Sequence, residues 1–366
     1  MADRNEAAAA SAALATRVLD QIGASWMSQA ICTAAELGIP ELIAGGSHTI
    51  DELARATHCH RESLHRLLRG LATLGLCVEA EDSSFTLTPR GSLLRADDPS
   101  SVRACAIWWG RYLWPVWGGL VESVRSGASV RELRTGLKGY AHIEGDPRAA
   151  AVFNQAMTEL TRLAAGEIMR VYDFAPVRRL VDVGGGHGEL LIRVLMAYPR
   201  MRGVLFDLPH AVGVAEKRMV NAGLSDRCVC VAGSFFDEVP AGADVYVLKS
   251  VLHNWEDEKS VHILRNCRRA MLADARLLLV ERRKPPRVGD SAMDRTIARI
   301  DLNMLVGVGG RERSHVEFET LLQAAGFDRI RFHPTAIELW VIEARPTLPS
   351  REPDGQDRVA LPGSDL

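Results

Sequence analysis

The chain has 366 residues, long for one hydrophobic core, so two domains are expected. Hydrophobic residues make up 47% and charged residues 25%, the proportions of a globular protein that works in water, and the formal net charge of -2 gives no attraction to nucleic acid or to an anionic membrane. No apolar run is long enough to span a bilayer, and the first ten residues lack the basic-then-apolar order of a secretory leader, so a cytoplasmic location is expected.

From about Ser11 to Phe174 the pattern is nearly all helical. The stretch "SHTIDELARATHCHRESLHRLLRGLATLGL" holds two short helices around a turn at residues 58–60, and Thr49 with Glu52 three residues on forms a capping-box pattern at the first of them. The following "CVEAEDSSFTLTPRG" alternates and turns like a small β-hairpin, which completes a winged helix over residues 11–100. Winged helices often read DNA, so charge is the discriminator. Between Ile50 and Arg95 the bases Arg55, Arg61, Arg66, Arg69, Arg90 and Arg95 are matched by Asp51, Glu52, Glu62, Glu79, Glu81 and Asp82, which leaves no net pull on phosphate. A structural or dimer-forming module is expected there. Residues 101–174 read as a helical connector that carries the aromatic run "AIWWGRYLWPVW".

After Phe174 short apolar runs alternate with helical segments, the signature of βαβ units and a parallel sheet over residues 175–346. Seven strands are predicted, at 179–183, 203–208, 228–232, 243–248, 276–281, 329–333 and 338–343. The last two are so close together that they must form an antiparallel hairpin. The fold class is therefore α/β, a Rossmann-like seven-stranded sheet with a terminal antiparallel hairpin plus an N-terminal, mostly helical winged-helix domain. Residues 347–366 are rich in Pro, Gly, Asp and Arg and read as a disordered tail. The seven cysteines are an odd number without a CxxC pair, so reduced thiols are expected rather than disulfides or a zinc site.

The chemistry is concentrated at the strand ends. "LVDVGGGHGELL" sets glycines between a strand and a helix, where backbone can approach a ligand. The dinucleotide spacing G-x-G-x-x-G fails in both frames, because Glu189 and Leu191 occupy the third glycine position. Asp207 ends the second strand, where a carboxylate can take two hydrogen bonds from a ribose diol. "VAGSFFDEVP" ends the third, where a polar group followed by an aromatic could hold and cover an adenine. After the fourth comes "SVLHNWEDEKS", with His253 between an apolar run and an acidic helix start.

Taken in order, "VDVGGGHG", "FDLPHA", "GSFFDEVP" and "VLKSVLHNWEDE" resemble the S-adenosylmethionine-dependent small-molecule O-methyltransferases, the branch of plant caffeate and flavonoid enzymes and bacterial antibiotic enzymes. The resemblance spans nearly the whole chain and implies a homodimer formed through the winged helix. It implies that Gly184 contacts the methionine part of the cofactor, Asp207 the ribose, Leu208 the nucleoside and Phe235 the adenine, with Lys249 also at the cofactor. Ser234 stands where the family commonly has Asp. His253 matches the catalytic base, and Glu281 and Glu312 match the carboxylates that orient it; His187, in the glycine loop, is a weaker rival as base. Trp108, Phe153, Met157, Asn303 and Met304 match regions that face an aromatic acceptor. No metal is implied. The expected activity is methylation of a phenolic hydroxyl on an aromatic, polyketide-type natural product. The alternatives are N-methylation, or a relative of the same fold that hydroxylates or decarboxylates.

Overall fold

The computed structural model describes residues 2–140, 143 and 145–347; the tail expected over 347–366 lies, Thr347 apart, outside them. The chain opens with a 35-residue helix, Ala2–Glu36. Its start lies well before Ser11, since the alanine-rich opening has the highest helix propensity of any residue type. Two short helices follow, Ile50–Thr57 and Arg61–Thr73. Thr49 caps the first: its side chain accepts the Glu52 N–H while the Glu52 carboxylate accepts the Thr49 N–H. Strands β1 (His48–Thr49), β2 (Cys77–Glu79) and β3 (Ser84–Leu87) form an antiparallel sheet in the order β1-β3-β2. Leu53, Leu64, Leu68 and Phe85 fill the core between this sheet and the helices, as a winged helix requires. The long first helix leaves Leu14, Val18, Ile22 and Trp26 at 54–69% exposure. At a spacing of four they make one apolar stripe along one face.

The second half is built on a seven-stranded sheet. Its strands are β4 (Arg179–Val183), β5 (Arg202–Asp207), β6 (Cys228–Ala232), β7 (Val245–Lys249), β8 (Arg276–Arg282), β9 (Phe327–Pro334) and β10 (Leu339–Pro346). The order is β6-β5-β4-β7-β8-β10-β9, parallel from β6 to β8, with β10 inserted antiparallel between β8 and β9. All seven predicted strands are present, within three residues at each end. Apolar cores cover both faces, one around Leu180, Leu191, Leu205 and Val247, the other around Val183, Phe206, Leu248 and Leu279. The chain leaves β4 toward β5 on one side and returns to β7 on the other, so a crevice opens beyond the carboxyl ends of β4 and β7. The residues just past β4, β5, β7 and β8 converge there.

The 25-residue helix Pro147–Val171, capped by Asp146, runs between the two halves. Trp108–Leu113, within the aromatic run, winds as a π-helical turn, a widening that periodicity does not reveal. Cys32, Cys77, Cys105, Cys228 and Cys267 are buried, and all seven cysteines are free. Among the described residues no helix is long and apolar enough to cross a membrane.

Candidate active site

His253 sits in a short 3-10 turn, Leu252–Asn254, directly after β7. The chain reverses into it at Ser250, a non-glycine residue held at φ +55°. The turn is pinned from two sides. Glu281, at the end of β8, accepts the N–H groups of Val251 and Leu252 through one carboxylate oxygen at 3.0 and 2.8 Å. Arg313, fully buried, donates to the carbonyls of Leu252 and Trp255 at 2.8 and 2.6 Å and pairs with Asp257 at 2.8 Å. Gly310 closes a third side, because its backbone presses against the His253 carbonyl, which accepts the Arg311 N–H at 2.9 Å.

Within this frame His253 Nδ1 lies 3.0 Å from Glu312 and 3.7 Å from Glu281. Nδ1 therefore carries the proton donated to the carboxylate, and Nε2, which has no partner among the described residues, is the free basic nitrogen. Burial works to lower the imidazole pKa. The charges of Glu281 and Glu312, with the hydrogen bond to Glu312, outweigh it and hold it above the usual 6.5. Burial raises the Glu281 pKa. For Glu312 burial acts the same way, but His253 overcomes it and the carboxyl stays below its usual range. The two neighbouring carboxyls are thus shifted in opposite directions, with Glu312 the better stabilised anion beside the imidazole. His187 differs: burial, together with the charges of Arg218 and His210, drives it down to about 4, too weak a base at neutral pH. His253, Glu281 and Glu312 are also the one group of three potential metal ligands among the described residues, with ligand atoms within 4.8 Å of one another.

The cofactor candidates surround the same crevice. Gly184 has φ +71°, and a Cβ there would meet Val251 at 3.0 Å and Phe235 at 3.6 Å, so only glycine leaves that floor open. Asp207 accepts the Gly186 and Leu208 N–H groups at 2.7 and 2.6 Å, one on each oxygen. Each oxygen keeps a second lone pair. Leu208 is 40% exposed beside it. Ser234 accepts the Phe236 N–H at 3.1 Å, and Phe235 packs edge-on against Phe236 and Trp255. Lys249 ends β7; burial lowers its pKa to about 8, with Arg282 acting in the same sense against Glu281, Asp182 and Glu338.

Trp108, Phe153 and Met157 come together in one aromatic cluster. Trp108 packs on Phe153 with ring centres 5.0 Å apart. Asn303 accepts the Trp117 indole N–H at 3.1 Å. Met304 is buried, and its carbonyl accepts the Gly309 and Gly310 N–H groups at 2.9 and 3.2 Å. That places Met304 at the root of the loop carrying Glu312.

Sequence reasoning missed three residues of this site. Tyr140 packs on Phe153, and its hydroxyl donates to Asn254 at 2.9 Å. Arg313 was hidden as one of many arginines, although it follows Glu312 directly. Asp182 lies in the glycine motif itself, fully enclosed, with one carboxylate oxygen lacking any partner. Burial raises its pKa to about 7.

The profile of the O-methyltransferase domain matches residues 117–328, and that of the O-methyltransferase dimerisation domain matches residues 19–97. The chain belongs to the O-methyltransferase family. It is 40% identical to phenazine O-methyltransferase of Lysobacter antibioticus over 346 residues, 94% of this chain and the whole of that protein. It is 36% identical to 8-amino-8-demethylriboflavin N,N-dimethyltransferase of Streptomyces davaonensis, over 86% of this chain and 90% of that one. Among solved structures, an O-methyltransferase from neocarzinostatin biosynthesis, in complex with S-adenosylmethionine and 2-hydroxy-5-methyl naphthoic acid, aligns with a TM-score of 0.73. It is 33% identical, and the alignment covers 87% of this chain and 95% of that one. This O-methyltransferase is thus an enzyme of the S-adenosylmethionine-dependent class, with the Rossmann-like sheet and N-terminal dimerisation domain of its relatives.

Proposed function

We propose that this O-methyltransferase transfers a methyl group from S-adenosylmethionine to a phenolic hydroxyl of an aromatic, polyketide-type natural product, with His253 as general base. The observation that carries the reading is the hydrogen bond from His253 Nδ1 to buried Glu312, which leaves Nε2 free beside the crevice. The lining fits the cofactor. Gly184 leaves an open floor, Asp207 keeps lone pairs for a ribose diol, and the orphan oxygen of Asp182 suits an ammonium group. When bound, the cofactor supplies an electrophilic methyl on a sulfonium. Ser234 and Phe235 would meet the adenine, Leu208 the nucleoside, and Lys249 the methionine end.

Trp108, Phe153, Met157, Asn303 and Met304 would hold a flat acceptor so that its hydroxyl reaches Nε2. The imidazole takes the hydroxyl proton as the oxygen attacks, and the resulting imidazolium is stabilised by Glu312 and Glu281. Residues 11–100 would dimerise in a cytoplasmic enzyme, and the stripe Leu14, Val18, Ile22 and Trp26 supports the homodimer. Residues 101–174 would shape the acceptor pocket, and residues 175–346 would bind the cofactor.

The test is incubation with isotopically labelled S-adenosylmethionine and a panel of polycyclic phenols and amines, with products read by mass. The run is made with EDTA present. Methylation of a phenol that survives chelation supports the reading. The proton on Nδ1 occupies the space a cation would need, since bound metal requires ligand distances of about 2.0–2.2 Å. Abolition by EDTA and rescue by zinc or magnesium would assign the His253, Glu281 and Glu312 group to a metal instead. Cofactor binding without methyl transfer to any compound would favour a non-methylating relative.

The pH profile offers a second check. The base works as neutral imidazole, so a pKa held above 6.5 makes kcat/KM climb with pH through a limb above that value. Glu312→Gln removes one of the charges that raise it. The limb then moves to lower pH, while kcat falls by about 10²-fold, the low end of what a positioned base supplies. A limb that stays in place would show that another group governs it.

A further inference from the structure

Arg131 lies in the short helix Val130–Thr135, at the wall of the aromatic cluster. Its guanidinium carbon stands 5.8 Å from the centre of the Trp108 ring. Among the described residues its one side-chain hydrogen bond is a long one of 3.3 Å from Nη2 to the Tyr112 carbonyl. Among the described residues it makes no ion pair, although 20 such pairs are formed elsewhere. Nε and Nη1 have no partner among the described residues, yet neither is sealed from solvent. Arg131 is therefore a partly buried cation without a counter-charge among the described residues, and burial lowers its pKa to about 10. An arginine that loses water is favoured by a counter-charge, and an unpaired guanidinium presents a planar fork that matches a carboxylate.

Its place relative to the reaction follows from Tyr140. That side chain is within electrostatic reach of both Arg131 and Glu281, and its hydroxyl bonds Asn254, next to the base. Phe153 touches both Trp108 and Tyr140. Arg131 and the turn that carries His253 are thus joined by a continuous run of aromatic contacts, Trp108 to Phe153 to Tyr140 to Asn254.

We propose that Arg131 binds a carboxylate on the acceptor, so that the substrates are aromatic hydroxy acids whose acid group is held by the guanidinium while the hydroxyl meets His253. This rests on the function proposed above for its choice of reaction, but its test does not depend on methyl transfer. With the protein saturated by S-adenosylhomocysteine, binding of a hydroxynaphthoic acid and of its carboxamide is measured by titration calorimetry. The two ligands have nearly the same shape and differ in charge. The wild type is expected to favour the acid by about 10- to 100-fold, the range of a charge-assisted bidentate contact. Arg131→Gln should bring the ratio near one. Arg131→Lys should retain part of it, because lysine keeps the charge and loses the fork. Affinity for S-adenosylhomocysteine reports whether each variant is folded, and if the Gln variant is not, the wild-type ratio and the Lys variant decide.

Equal affinity for acid and amide in the wild type, binding of neither, or a preference unchanged in the variants overturns the proposal. Selective binding of the acid without any methylation leaves Arg131 as the carboxylate anchor and removes the methyl-transfer reading. Methylation of neutral phenols with no preference for acids does the reverse.

Discussion

His253→Ala is expected to lower kcat by about 10²–10⁴-fold, the contribution of a positioned general base, which corresponds to ~2.7–5.4 kcal/mol of barrier. Affinity for S-adenosylmethionine should stay nearly unchanged. The reason lies in the division of the site: His253 is held by Glu281, Glu312 and Gly310, whereas the glycine loop and Asp207 make their own contacts with each other. The variant also tests the nature of the acceptor. A phenol at neutral pH is mostly protonated and needs the base, while an aromatic amine with a free lone pair does not. Retention of most turnover on an amine in the panel, with loss on phenols, would turn the assignment toward N-methylation, the activity named for the riboflavin-derivative relative. Equal loss of cofactor binding and turnover would show that His253 is structural.

Gly310→Ala is expected to be nearly as damaging without touching any reacting group. A Cβ at that position would lie 2.0 Å from the His253 carbonyl oxygen and 3.0 Å from Asn254 Cα. Both neighbours are backbone, so no side chain can swing aside. Either the His253 turn or the loop to Glu312 must shift, and overpacking of this kind costs about 1–3 kcal/mol, occasionally more. The 3.0 Å contact between His253 and Glu312 spans these two segments and would be broken by the shift. The measurement is denaturant unfolding alongside kcat. A drop in both, with cofactor affinity retained, is expected; a fully stable and active variant would mean that the loop relaxes without moving the base.

The elements themselves were legible because they obey local rules. The seven strands of the large sheet announce themselves as short apolar runs between helical segments, and Thr49 with Glu52 marks a helix start by a hydrogen-bond pattern confined to four residues. The glycine motif and Asp207 were readable for a related reason, since a strand end followed by glycine or a carboxylate lies at the ligand edge of any parallel sheet. His253, Glu281 and Glu312 were named by resemblance, and the structure brings Glu312 within hydrogen-bond reach of His253 across 59 residues of chain and sets Glu281 3.7 Å from it.

What stayed hidden depends on contacts between distant segments. Nothing in the local pattern says that β10 inserts between β8 and β9, since either order satisfies the same hairpin. Nor does Arg313 differ in sequence from the many other arginines; its burial against Leu252, Trp255 and Asp257 sets it apart. Tyr140 and Arg131 belong to the same class, ordinary residues in short helical or irregular segments until packing sets them against Trp108 and Asn254. The sequence by itself determined the α/β sheet, the winged helix and the carboxylates and glycines at the strand ends, because periodicity, capping and strand-end chemistry act over a few residues. Only the tertiary structure decided which Nδ1 contact orients the base, that Gly310 must remain glycine and that Arg131 lacks a counter-charge among the described residues, because hydrogen bonding, steric exclusion and desolvation depend on what the rest of the chain places within a few ångströms.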